Sequence, residues 1–169
     1  MSNIKKIFLT GASGGIGSAI CNKFINKKYK LVLTSSSDEK IENFKNIYGN
    51  DQHYYKTDLS NASNLQNCLD EISNDHKDIS VIVNNAGITE DSLIFRMKPD
   101  QWSNVIQTNL NSNYQIIKSL LPNMLSQKYG KIVGISSIVG STGNIGQSNY
   151  VTSKSGMVGL YKSIALEVA

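Results

Sequence analysis

Cysteine and proline are scarce in this 169-residue chain, at two residues each, and tryptophan occurs once. Cys21 and Cys68 form no Cys-x-x-Cys pair and share no metal-ligand spacing, so neither a disulfide framework nor a metal site is expected. Two thiols without a framework suit a reducing, cytoplasmic setting. The first apolar run, Ile7-Phe8-Leu9, is too short for the core of a signal peptide and far too short to span a bilayer. A surplus of basic charge is also missing. Seventeen Lys and Arg against thirteen Asp and Glu leave +4, and the lysines stand singly or in pairs such as Lys5-Lys6 and Lys27-Lys28. No basic run is interleaved with aromatics, which excludes a nucleic-acid surface. There is no repeat, low-complexity tract or linker, so residues 1–169 are expected to form one domain.

What is present is an alternation. Apolar runs of strand length at 4–10, 29–34, 52–57, 79–84 and 131–136 are separated by longer stretches of helical period. Gly11 to Lys28 reads as a turn plus a helix, and further helices are expected near 38–48, 61–75, 99–127 and 148–168. The fourth and fifth strands, beginning Ile79-Ser-Val-Ile-Val and Lys131-Ile-Val-Gly-Ile, are almost continuously apolar, as strands covered on both faces should be. Strict alternation predicts an α/β fold: a doubly wound, parallel, Rossmann-type sheet in three α/β/α layers with right-handed crossovers. Pro122 should kink or punctuate the long fourth helix near its end. The chain stops at Ala169 as its last helix ends, which would leave one strand edge open.

Strand one leads into Thr10-Gly11-Ala12-Ser13-Gly14-Gly15-Ile16-Gly17, and a helix follows. Gly11 can make the tight turn off the strand, Gly15 lets backbone approach a pyrophosphate, and Gly17 lets helix and sheet pack closely. The free N–H groups of the helix start, with about half a positive charge, would then receive the phosphates. No Gly-Lys-Ser/Thr follows, so this is not a P-loop. Dinucleotide sites select their cofactor at the end of the second strand, where an acid would bind a ribose 2′-hydroxyl and repel a 2′-phosphate. That strand ends Leu33-Thr34-Ser35-Ser36-Ser37, with no carboxylate before Asp38, which favours NADP.

Tyr150 and Lys154 stand four apart on an expected helix and so share a face. A phenol is a poor acid at neutral pH, but an ammonium about 4 Å away is worth about 4 kcal/mol at an effective dielectric near 20. That is enough to make a phenol a useful general acid. Thirteen residues before Tyr150, Ser137 follows the fifth strand, at the carboxyl edge where open α/β sheets bind ligands. Its hydroxyl could hold a carbonyl oxygen and stabilise a developing alkoxide. Asn109 is a polar residue in an otherwise core-facing helix.

In this order and spacing, Thr-Gly-x-x-x-Gly-x-Gly at 10–17, Asn84-Asn85-Ala86-Gly87, Asn109, Ser137 and Tyr150-x-x-x-Lys154 resemble the short-chain dehydrogenase/reductase family over essentially the whole chain. Through residues 84–97 and 139–150 it is most similar to the 3-oxoacyl-[acyl-carrier-protein] reductases of fatty-acid synthesis. The resemblance implies an NADPH-dependent oxidoreductase in which Tyr150 gives a proton to the substrate carbonyl and Ser137 orients it. Lys154 would assist the phenol and bind the nicotinamide ribose with Tyr150, and Asn109 would hold the water that replenishes the proton. Gly11, Ala12, Ser13, Gly14, Gly15, Ile16 and Gly17 would carry the pyrophosphate, and Ser36 would lie by the 2′-phosphate. Asp58 and Leu59 would flank the adenine, with Asn85, Ala86 and Gly87 along the cofactor cleft. The substrate would be a 3-oxoacyl group linked to acyl-carrier protein or CoA, and helices 99–127 and 148–168 would pair copies into a homotetramer.

Two departures stand out. Gly14 replaces a basic residue that such reductases often carry. The family pattern also continues past residue 169 into another strand, a Pro-Gly turn, a substrate lid and a final strand, so the chain is expected to be C-terminally incomplete. Two other readings remain at this stage: a reductase of another carbonyl, such as acetoacetyl-CoA, a sugar or a steroid, and a non-catalytic nucleotide-binding fragment.

Overall fold

Side-chain alternation along one central strand divides the core in two. Strand β1 (Lys6–Leu9) points Ile7 and Leu9 to one face of the sheet and Phe8 to the other, all fully buried. A computed structural model describes residues 6–169; the expected first two strand residues, 4 and 5, lie outside the described residues. Ile7 and Leu9 pack with Leu31, Leu33, Val81 and Val83 under α1 (Gly15–Asn26) and α2 (Asp38–Tyr48). Phe8 packs with Val32 and Ile82 under α3 (Ala62–Asp75) and α5 (Ser112–Ser126). Burying each such side chain fully stabilises the fold by roughly 1.5–3 kcal/mol.

Strands β2 (Lys30–Ser35), β3 (His53–Lys56), β4 (Ile79–Asn84) and β5 (Lys131–Gly134) complete a parallel sheet in the order β3-β2-β1-β4-β5. The order reverses between β1 and β4, and such switch points open a crevice at the carboxyl ends of the strands. The expected doubly wound α/β architecture is therefore present. Strand β4 is buried along its length, as its apolar run predicted. Strand β5 is not: it is the sheet edge among the described residues, and Val133 is 44% exposed.

The expected long helix at 99–127 is three pieces on one axis: α4 (Pro99–Ile106), a π-helical segment (Gln107–Asn111), and α5. The irregularity falls at Asn109, while Pro122 sits near the end of α5, which stops at Ser126. Two short polar side chains satisfy the loosened ladder. Ser112 Oγ donates to the Thr108 carbonyl at 2.6 Å and Asn113 Nδ2 to the Asn109 carbonyl at 2.8 Å. A short helix missing from the sequence reading, α6 (Val139–Thr142), precedes α7 (Ser148–Glu167).

Candidate active site

The turn between β1 and α1 is built by close backbone contact. Gly11 has φ +71°, and a Cβ there would stand 2.7 Å from Asn85 Nδ2 and 2.8 Å from Ala86 Cα. A Cβ on Gly17 would stand 2.0 Å from the Gly11 carbonyl oxygen. Asn85 clamps the same turn: its Nδ2 donates to the carbonyls of Thr10 and Gly11 at 3.1 and 3.0 Å. Thr10 Oγ1 in return accepts from the backbone N–H groups of Asn85 and Ala86. The loop after β4 is thus tied to the loop after β1, across the switch point.

Gly15 differs from these two, because nothing lies within 4 Å of a Cβ built on it. Helix α1 begins there with Gly14 as its cap and no side chain closing its first N–H groups. A helix start left uncapped beside a cleft is a receptor for phosphate. The cleft measures about 570 Å³, within the range of small-molecule sites. Gly11, Ser13 and Gly14 to Gly17 form one wall, and Asn85 to Ile88 lie opposite, beside Asn104 and Thr108. Thr34, Ser35, Ser36 and Lys40 line the cleft at the end of β2 and the start of α2, with Thr57 to Ser60 after β3. Thr108 Oγ1 is buried and has no hydrogen-bond partner among the described residues, so the wall holds a polar atom for which only a ligand or solvent could provide a partner. These features fit a dinucleotide.

Of the sequence-predicted cofactor residues, Gly11, Ser13 to Gly17, Ser36, Asp58, Leu59 and Asn85 to Gly87 meet on this cleft. Ala12 turns inward instead and is buried in the core with Leu9 and Leu33. The Asp58–Leu59 turn is held by Asn64, whose Oδ1 accepts from the Asp58 N–H at 2.8 Å. Sequence reading missed Lys40, Asn104 and Thr108, because helix phase and a crossing between separate elements bring them in.

Lys154 and Asn109 meet at Gly87, with Tyr150 beside Lys154, while Ser137 follows β5 and its carbonyl accepts from the Gly140 N–H at 3.1 Å. Lys154 is buried, and its Nζ stands 5.6 Å from the centroid of the Tyr150 ring and donates to the Ile135 carbonyl at 2.7 Å. Burial lowers the Lys154 pKa below that of an ordinary lysine. A Cβ on Gly87 would meet Asn109 Oδ1 at 3.3 Å and Lys154 Nζ at 3.5 Å, so absence of a side chain there opens the space between cleft and lysine. Asn109 is fully buried. Its Oδ1 accepts from the Ile88 N–H at 2.8 Å, and its Nδ2 donates to the Ile88 carbonyl at 2.9 Å and to Ser153 Oγ at 3.2 Å. The side chain is spent on holding the β4 loop, and the backbone carbonyl already accepts one hydrogen bond, from Asn113 Nδ2. The side chains of Tyr150 and Ser137 are half-buried and make no hydrogen bond among the described residues.

The start of α7, which carries Tyr150, and the residues before it are pinned to α4 and to the loop after β4. Asn149 Nδ2 donates to the carbonyls of Glu90 and Gln101, Gln147 Nε2 to Asp91, and the Ser92 N–H to the Gly146 carbonyl. Behind the site runs a buried polar chain that the sequence did not announce. Asn84 Nδ2 donates to the Tyr161 hydroxyl at 2.7 Å, which donates to Asn113 Oδ1 at 2.8 Å, and Asn113 holds the Asn109 carbonyl.

Residues 5–169 match the short chain dehydrogenase family. The chain is 39% identical over 165 residues to a 3-oxoacyl-[acyl-carrier-protein] reductase of Haemophilus influenzae, covering 98% of this chain and 68% of that protein. It is 38% identical over 167 residues to the enzyme of that name from Buchnera aphidicola, with 99% and 68% covered, and 34% identical over 165 residues to that of Escherichia coli, with 98% and 68% covered.

Proposed function

The chain belongs to the short-chain dehydrogenase family, and on that premise we propose that this oxidoreductase reduces a 3-oxoacyl thioester to the 3-hydroxyacyl form with NADPH. The observation that supports the reading is the approach of Lys154 Nζ and Asn109 to the open space at Gly87 on the glycine-lined cleft, with the Tyr150 ring 5.6 Å from the same Nζ. The cofactor, when bound, supplies the hydride. Gly11 to Gly17 cradle its pyrophosphate, and Lys154 reaches past Gly87 toward its ribose. The Tyr150 hydroxyl gives its proton to the carbonyl oxygen, with the buried Lys154 charge beside the ring favouring its release. Ser137 donates to the same oxygen and steadies its developing charge.

An acyl substrate is favoured over a sugar by the apolar surface beside Tyr150. Leu93, Ile94 and Phe95 stand exposed on one loop, and Ile138 and Ile145 on the segments flanking α6. The Ser92–Gly146 hydrogen bond joins the first of these to the second. An acyl-carrier-protein thioester is the corresponding substrate, the setting is the cytoplasm, and copies pair through α4, α5 and α7 into a tetramer.

The test is loss of NADPH absorbance on adding an acetoacetyl thioester, set against a sugar and a steroid ketone. Oxidation with the thioester and not with the others is expected. Turnover of only a sugar or a steroid ketone would overturn the substrate assignment.

A further inference from the structure

We propose that Lys40, in the first turn of α2, is the cation that reads the 2′-phosphate of the cofactor, taking the place that Gly14 leaves without charge. The inference rests on the NADPH reading above and names the residue that produces it. At the end of β2 the three serines divide their tasks. Ser35 and Ser36 line the cleft, while Ser37 caps α2, its Oγ accepting from the Lys40 N–H at 3.3 Å. That cap fixes where the helix starts and hence the phase of its first turn.

Asp38 and Lys40, two residues apart, are turned about 200° from each other around the helix axis. Lys40 faces the cleft beside Ser35 and Ser36. Asp38 faces away, where Lys56 Nζ on β3 holds its carboxylate at 2.5 Å. Asp38 is thereby neutralised away from the pocket, Glu39 does not line it, and the acid that does, Asp58, accepts from the Ser60 N–H and Oγ at 2.9 and 2.7 Å. Lys40 itself makes no ion pair among the described residues, whereas Lys45 and Lys56 each hold a carboxylate. An unpaired ammonium and two hydroxyls on the wall of a dinucleotide cleft suit a phosphate monoester and have nothing to offer a bare 2′-hydroxyl beyond a hydrogen bond.

Gly14 is where a second cation would stand. Its φ is −79°, and a Cβ there would meet nothing nearer than the Gly11 carbonyl at 3.6 Å, so no steric demand requires glycine.

The experiment is direct binding of NADPH, NADH, adenosine 2′,5′-bisphosphate and 5′-ADP to the protein and to Lys40→Ala, by calorimetry. Lys40→Ala should weaken NADPH and the 2′,5′-bisphosphate by about tenfold, the scale of one charged contact in a half-open site, and leave NADH and 5′-ADP unchanged. Lys40 is exposed, so the thermal midpoint should not move, and Lys40→Arg should restore binding. Wild-type protein that prefers NADPH alongside a Lys40→Ala variant with the same preference would overturn the assignment to Lys40 alone. Wild-type protein that binds NADH as tightly as NADPH would overturn the NADPH reading itself. Equal weakening of all four ligands would show a general effect on the cleft and would also overturn the assignment.

Discussion

The carbonyl oxygen of Gly11 occupies the space into which any side chain on Gly17 would grow, 2.0 Å from the position of its Cβ. The start of α1 therefore packs directly on the turn it follows. Gly17→Ala should shift backbone rather than a flexible side chain, at a cost of about 2–3 kcal/mol, and lower the thermal midpoint. Gly15→Ala, with open space around the new methyl, should fold as well as the parent but bind cofactor more weakly, because that methyl stands on the cleft wall. Thermal melts paired with cofactor titrations separate the two. Equal melting of both variants would show that the turn relaxes freely.

Tyr150→Phe keeps the ring beneath Lys154 and removes the proton donor. Turnover of a 3-oxoacyl thioester should fall at least about a hundredfold, with cofactor affinity little changed. Lys154→Met should weaken both, since its ammonium lies beside the ring and toward the cleft. Single-turnover rates and cofactor dissociation constants are the measurements. Near-normal turnover in Tyr150→Phe would remove the phenol from the mechanism.

Tyr161 stands in the middle of the buried chain from Asn84 to Asn109. Burial pushes its phenol up to about 12, so it stays a neutral donor at all working pH values. Tyr161→Phe should leave Asn84 Nδ2 and Asn113 Oδ1 buried without partners and cost about 1–3 kcal/mol in urea unfolding. It should also lower turnover more than cofactor binding, through the Asn109 carbonyl. Unchanged stability would mean that the chain of hydrogen bonds re-forms around the gap.

At the amino end of the sheet, His76 is buried between Lys6 Nζ, 2.9 Å from Nδ1, and the Tyr55 hydroxyl, 2.9 Å from Nε2. His53 stacks 4.3 Å away, and Asp75 and Asp78 hold Tyr55 and Lys6. Burial, then the Lys6 and His53 charges, lower His76 from 6.5 to about 4. The folded state resists this proton more than the unfolded chain does. Its contribution is whole above about pH 6.5 and is lost as pH falls from there toward 4. The thermal midpoint should decline across that window, and His76→Gln should flatten that part of the curve. A His76→Gln profile parallel to the parent would assign the acid sensitivity elsewhere.

Much of this molecule was legible in one dimension because the signals are local. The strand lengths, the glycine spacing at 10–17 and the four-residue step from Tyr150 to Lys154 each reflect a backbone periodicity that a short segment carries alone. The long helix was readable as a helix but not as three pieces. The π-helical segment at Gln107–Asn111 depends on Asn109 being pulled to Ile88, a residue twenty-one positions away. For β5, the sequence predicts an open edge but covered faces; an apolar run reports what a strand could bury, and Val133 is 44% exposed.

The sequence by itself determined the fold class, the glycine turn between the first strand and helix, and the candidate site residues, since each follows from residue types at fixed separations. Only the tertiary structure decided which neighbours those residues serve. Asn85 is a brace as well as a cleft wall, Asn109 spends its side chain on a loop, and Lys40 lines the cleft while Asp38 turns to Lys56. The physical reason is common to all three. A polar side chain takes its role from the partner within about 3 Å, and packing of distant segments, not the spacing along the chain, decides which atoms come that close.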